Sequence, residues 1–169
     1  NYTALVNAHA VAVQAACALM TPSGTFTYTP TAAINLAVNW ENPALTILNC
    51  AMSAYSGIVF QQIQSTKIKN VYMQRTGTLQ GTALYQAPTT VSDFTGYQVL
   101  DRFWAIGFGR NLQIGNVFMQ SYKNCRFNDG TTGIYCVPDA TSGNGYVTTL
   151  HFDSCEVFGN AQNHLFTST

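Results

Sequence analysis

A short pattern that returns along the chain at uneven intervals limits the possible folds more than any other feature. Asn49-Cys50-Ala51-Met52 leads, after a turn, into Ser56-Gly57-Ile58-Val59-Phe60, and Asn124-Cys125-Arg126-Phe127 leads likewise into Thr132-Gly133-Ile134-Tyr135-Cys136. Ser154-Cys155-Glu156-Val157 leads into Asn163-His164-Leu165-Phe166. Looser copies begin at Asn70-Val71-Tyr72-Met73 and at Leu100-Asp101-Arg102-Phe103. The unit is a short strand, a turn holding Gly or Asn, and a second strand that often opens on Gly-Ile. Such a unit cannot bury its inner face alone, so successive copies must stack and share one core.

The expected fold is therefore all-β, a right-handed parallel β-helix, with Cys50, Val71, Cys125 and Cys155 stacked as an internal ladder. Insertions at Gly77–Gln80 and Asp139–Gly145 are expected to leave as loops. An antiparallel sandwich of short strands is the competing architecture, although it gives no reason for Asn-Cys to recur before a Gly-Ile strand. Val6, Ala10, Val13, Cys17 and Met20 recur at steps of four and three, which predicts one helix over Ala4–Met20. Thr21-Pro22-Ser23-Gly24 would end it. Residues 1–24 are then a capping helix and turn, and residues 25–169 carry the β repeats. β segments are expected from Thr25–Tyr28 through Glu156–Phe158, separated by Gly, Asn, Asp, Pro and Ser clusters. Gly107-Phe108-Gly109-Arg110-Asn111 reads as a turn. The chain ends in what reads as the middle of a repeat. It is expected to be the N-terminal part of something longer, or to have its end covered by another chain.

Charged residues make up only 8% of the 169 residues and the net charge is zero. With no basic run, a surface that tracks nucleic-acid phosphates is not expected. No stretch is long and apolar enough to predict a membrane span. The five cysteines show no CxxC pair and no His at ligand spacing, so no metal site and no cofactor is expected. All five read as reduced core residues, as suits folding in a reducing cytoplasm.

Ala12-Val13-Gln14-Ala15-Ala16-Cys17 on a helix, followed by Gly24-Thr25-Phe26-Thr27-Tyr28-Thr29-Pro30, resembles the opening of pectate-lyase-like β-helix proteins. The later Asn-Cys-x-Phe followed by Gly-Ile-Tyr resembles repeats of the same superfamily, phage tailspikes and surface-polysaccharide depolymerases in particular. That pattern usually has Gly after Pro30, where this chain has Thr31-Ala32-Ala33. The resemblance implies a homotrimeric virion protein of the phage tail, joined to other tail proteins, that binds a bacterial surface polysaccharide during host attachment and often cleaves it. The alternative is a non-catalytic tail-fibre segment with a structural or receptor-binding role.

Glycoside hydrolysis uses two carboxyl groups across the scissile bond, and the chain has seven acidic residues. Asp129 and Asp139 sit in turn sequences where Asp supports the backbone. Asp101, Glu156 and Asp153 flank β segments, which makes them the candidate acid and base. Asp101 and Glu156 would approach one groove if the repeats stack as aligned, and Asp153 would share the orientation of Cys155. The candidate sugar-binding residues are Trp104 and Tyr135 for stacking, with Arg102 and Arg126 for anionic groups.

Overall fold

The computed structural model describes residues 2–51, 55–88, 95–136 and 147–166. One helix, α1 (Tyr2–Gln14), precedes a chain that is mostly strand. In order, the strands are β1 (Gly24–Tyr28), β2 (Ile34–Leu36), β3 (Trp40–Cys50), β4 (Ile58–Gln62), β5 (Lys67–Arg75), β6 (Thr82–Gln86) and β7 (Thr95–Gly96). They continue with β8 (Val99–Ile106), β9 (Arg110–Ile114), β10 (Val117–Lys123), β11 (Arg126–Asn128), β12 (Thr132–Cys136), β13 (Val147–Asp153) and β14 (Gln162–Phe166).

These strands form two sheets. One runs β1-β3-β5-β8-β10-β13, with β11 beside β8 and β7 beside β10, and the other runs β2-β4-β6-β9-β12-β14. Every pairing among the described strands is parallel. Parallel pairing overturns the antiparallel sandwich. Strands adjacent in sequence mostly lie in different sheets, so the chain passes repeatedly from one to the other.

Side chains alternate along the strands, with Trp40, Phe60, Ile68, Met73, Leu84, Leu112 and Phe127 turned into a common core. That alternation slips at particular residues, and the backbone explains why. Asn70 and Arg102 lie opposite each other in the left-handed region, at φ 57° and 53°, and Asn124 and Ser154 continue the column at 52° and 54°. A left-handed residue inside a strand turns the next side chain to the other face, as a bulge does. Thus Asn70 and Val71 are both buried in succession, and Arg102 is exposed beside the half-buried Asp101. Tyr97, Met119 and Thr149 form a second such column. Gly107, Asp129 and Gly159 form a third. At Gly107 a Cβ would also lie 2.7 Å from the Arg75 carbonyl oxygen.

The expected helix is too long. It ends at Gln14, and Ala16 takes φ 51° while the Cys17 N–H reaches back to the Ala12 carbonyl. Leu19 then pairs with Trp40 as strand. Leu5 and Ala12 face the core, whereas Val13 and Met20 are exposed. The ring of Tyr2 lies 5.9 Å from that of Tyr28 in β1. The His9 Nε2 accepts the Ala37 N–H just after β2. Through these contacts α1 rests on the first strand of each sheet.

The cysteine ladder holds only in part. Val71 pairs with Phe103, and Cys125 and Cys155 follow at the same level. Cys50 instead pairs with Arg75, four positions beyond Val71, and Thr46 takes the place opposite Val71. All five cysteines are free thiols; Cys17 is exposed and Cys155 half-buried, so they are not all core residues. The Gly-rich turn spans residues 107–109, with Arg110 and Asn111 already in β9. Glu156–Phe158 contributes a single bridge at Glu156 in place of the expected strand. The Gly77–Gln80 insertion is a loop, and the Asp139–Gly145 insertion falls outside the described residues.

Candidate functional site

Parallel register converts outward positions into columns, and two of these hold five of the seven candidate residues. Glu41, Lys69, Asp101, Lys123 and Asp153 are successive partners across five strands. Their charges alternate in sign at every step. Opposite charges on neighbouring strands attract, so this column favours one register. The Asp101 carboxylate also lies 3.6 Å from the Arg102 Nε, and Asp153 accepts a hydrogen bond from the Ser154 hydroxyl. Asp153 is exposed, so it does not share the inward orientation of Cys155.

The second column is Tyr72, Trp104, Arg126 and Glu156. The Tyr72 ring meets Trp104 edge-on at 5.7 Å. The Arg126 guanidinium stands 4.7 Å from the centre of the Trp104 ring and binds the Glu156 carboxylate at 3.0 Å. The indole N–H donates to the Asn124 carbonyl. Trp104 is therefore already stacked, and Arg126 and Glu156 satisfy each other.

Asp101 and Glu156 occupy different columns. They are two strand spacings and three positions apart, on the order of 14 Å. Asp101 and Asp153 share a column about 10 Å apart, with Lys123 on the strand between them. Neither pair faces across an open cleft.

Tyr135 lies on the other sheet, and its surroundings are different. A groove of about 450 Å³ runs along the start of β6, β9 and β12, lined by Ser56, Thr82, Arg110, Thr131, Thr132 and Tyr135. Register aligns Thr82, Arg110 and Thr132, with Tyr85, Gln113 and Tyr135 three positions further on. The Arg110 guanidinium sits 4.1 Å from the Tyr135 ring centre and donates to the Gln113 side-chain Oε1 at 3.0 Å. Thr82 also reaches that oxygen, at 3.4 Å. The groove is thus lined by four threonine and serine residues, one aromatic ring and one fixed cation. Among its lining residues no carboxylate is present.

Such a surface can hydrogen-bond and stack on a polyol, and Arg110 can bind an acidic substituent. It holds no residue pair for general acid and base chemistry. Of its lining, Tyr135 is the residue that the sequence singles out for stacking on a sugar. The signal for the rest lay in the common pattern of Thr82-Ala83-Leu84-Tyr85, Arg110-Asn111-Leu112-Gln113 and Thr132-Gly133-Ile134-Tyr135.

Among the described residues no cluster of three His, Cys, Asp or Glu side chains is placed to hold a metal ion. Among the described residues no helix is long and apolar enough to cross a membrane. No family model matches the chain, and no curated protein and no solved structure matches it.

Proposed function

We propose that this chain is part of a right-handed parallel β-helix of the phage tailspike type, whose Arg110–Tyr135 groove binds a bacterial surface polysaccharide. Parallel pairing throughout, and the passage of the chain between two sheets, support the β-helix. The observation that carries the binding role is the groove itself, a hydroxyl-lined trough with an aromatic ring and a cation held in place. Sugar chains are elongated and rich in hydroxyls, and repeated strand positions offer them a repeated set of partners. Binding without cleavage is the favoured form, because Asp101 and Glu156 stand in separate ion-paired columns. A virion location, a homotrimer and contacts with other tail proteins belong to the same proposal.

Titrating purified bacterial surface polysaccharides against the protein tests it. Arg110→Ala and Tyr135→Ala should each weaken binding by roughly tenfold or more, about 1.4 kcal/mol, while Trp104→Ala changes it little. Polysaccharide chain length, followed by size-exclusion chromatography, should stay constant. Shortening that disappears in Asp101→Asn or Glu156→Gln would replace the binding reading with a hydrolase. Equal binding by the wild type and both groove variants would remove the groove.

A further inference from the structure

Cys125 and Cys155 are level with each other on neighbouring segments, since Arg126 and Glu156, the residues after them, form a parallel bridge. The Glu156 N–H donates to the Cys125 carbonyl at 2.9 Å. Neighbouring parallel positions stand about 4.8 Å apart, inside the window of roughly 4.4–6.8 Å between Cα atoms that a disulfide spans. The two thiols are oriented alike, Cys125 donating to the Leu100 and Lys123 carbonyls and Cys155 to the Tyr122 and Asp153 carbonyls. Each cysteine follows a left-handed residue, Asn124 or Ser154, where the backbone is not locked into a regular ladder.

Access to the two is unequal. Cys125 is fully buried, with its sulfur 3.5 Å from the Leu100 carbonyl oxygen. Cys155 is half-buried and opens on an apolar hollow of about 300 Å³, lined also by Ile134, Phe152, Val157 and His164.

We propose that Cys125 and Cys155 are a redox-responsive thiol pair, closed to a disulfide in the native protein by a small-molecule disulfide that enters at Cys155. The Cys155 thiolate attacks one sulfur of the reagent, forming a mixed disulfide and releasing one thiolate, which takes up a proton. Cys125 then loses its proton and attacks the Cys155 sulfur, releasing the second thiol. Two protein thiols are oxidised by two electrons, and the reagent is reduced to two thiols.

Electrostatics agree with that order. Interaction with the neighbouring Cys125 thiol pulls the Cys155 thiol down to about 7. The same interaction, together with burial, pushes Cys125 up. Asp153, Tyr122, His164 and the Arg126–Glu156 pair are the other titratable groups around Cys155.

Folded protein is treated with oxidised glutathione, alkylated, digested without reductant and analysed by mass spectrometry. The expected product is a peptide pair joined through Cys125 and Cys155, with Cys50 and Cys136 still free. Its formation rate should fall about tenfold per pH unit well below neutrality, as the thiolate is lost. In urea the preference for this pair should vanish. Cys125→Ala should leave one glutathione on Cys155, and Cys155→Ala should protect Cys125 altogether. A wild-type protein that keeps glutathione on Cys155, or that stays unmodified there while Cys17 reacts, overturns the proposal. A Cys155→Ala variant that is still modified at Cys125 does the same.

Discussion

Tyr122 and Gln86 join the two sheets through the middle of the core, the Tyr122 hydroxyl donating to the Gln86 Oε1 at 2.6 Å. The other end of the Gln86 amide donates to the Gln62 Oε1 at 2.8 Å, and Gln62 donates in turn to the Thr66 carbonyl at 2.6 Å. Tyr122, Gln86 and Gln62 are all fully buried.

Interrupting this chain should be costly. Gln86→Leu would leave the Tyr122 hydroxyl and the Gln62 side-chain Oε1 without their partner in the core. An orphaned buried group costs about 1–3 kcal/mol, so a loss of about 2–4 kcal/mol in urea unfolding is expected. Tyr122→Phe removes one donor and should cost about 1 kcal/mol. A neutral Gln86→Leu would show that water reaches this layer.

The column of alternating charge predicts a salt-dependent response. Asp101→Lys would set a cation between Lys69 and Lys123, its neighbours in register. With Asp101 partly solvated, a destabilisation of about 1–2 kcal/mol is expected. Most of it should be recovered at about 1 M salt, where screening extends only about 3 Å. Thermal unfolding at low and high salt measures this, and an effect that salt leaves unchanged would argue against the ladder.

His9 predicts a loss of stability toward acid. Burial strips water from the charged ring and lowers its pKa from the ordinary 6.5, and the unprotonated Nε2 accepts the Ala37 N–H. The unfolded chain therefore takes up this proton more readily than the folded one. The contribution is complete above about 6.5 and declines as pH falls through the folded value. The bond is worth about 1 kcal/mol. In His9→Gln, which keeps an acceptor, this part of the pH dependence of Tm should disappear.

The left-handed columns predict opposite effects at exposed positions. Asn124→Val forces a β-branched residue into φ 52° and should cost about 1–2 kcal/mol. Arg102→Gly, at φ 53° on the same column, should be neutral or stabilising by up to about 1 kcal/mol. Denaturant unfolding of the two variants, compared with Asn124→Gly, separates backbone strain from lost contacts.

Much of the strand content was legible, because a half-buried strand alternates and its turns carry Gly, Asn and Ser. Ile58–Gln62 and Thr132–Cys136 stood out through their Gly-Ile openings. Arg110–Ile114 was missed, since its first two residues, Arg110 and Asn111, read as part of the Gly-rich turn that ends at Gly109. The helix was read too far because Ala15-Ala16-Cys17-Ala18 favours helix locally, whereas pairing of Leu19 with Trp40 draws the chain away. The repeat was aligned on Leu100, while the position equivalent to Asn70 and Asn124 is Arg102. Nothing in an arginine signals a left-handed torsion. The charge column and the groove were hidden for a related reason: both exist only once strand register is fixed, and variable loop lengths conceal register in the linear sequence.

Asn, Arg, Asn and Ser occupy one column at nearly the same φ, so the bend there does not depend on which side chain occupies the position. The path of the chain is encoded by torsion and by the buried face. Mutation can therefore rewrite the outer face level by level while the trajectory persists. A lineage built this way would change what it recognises far sooner than it changes shape.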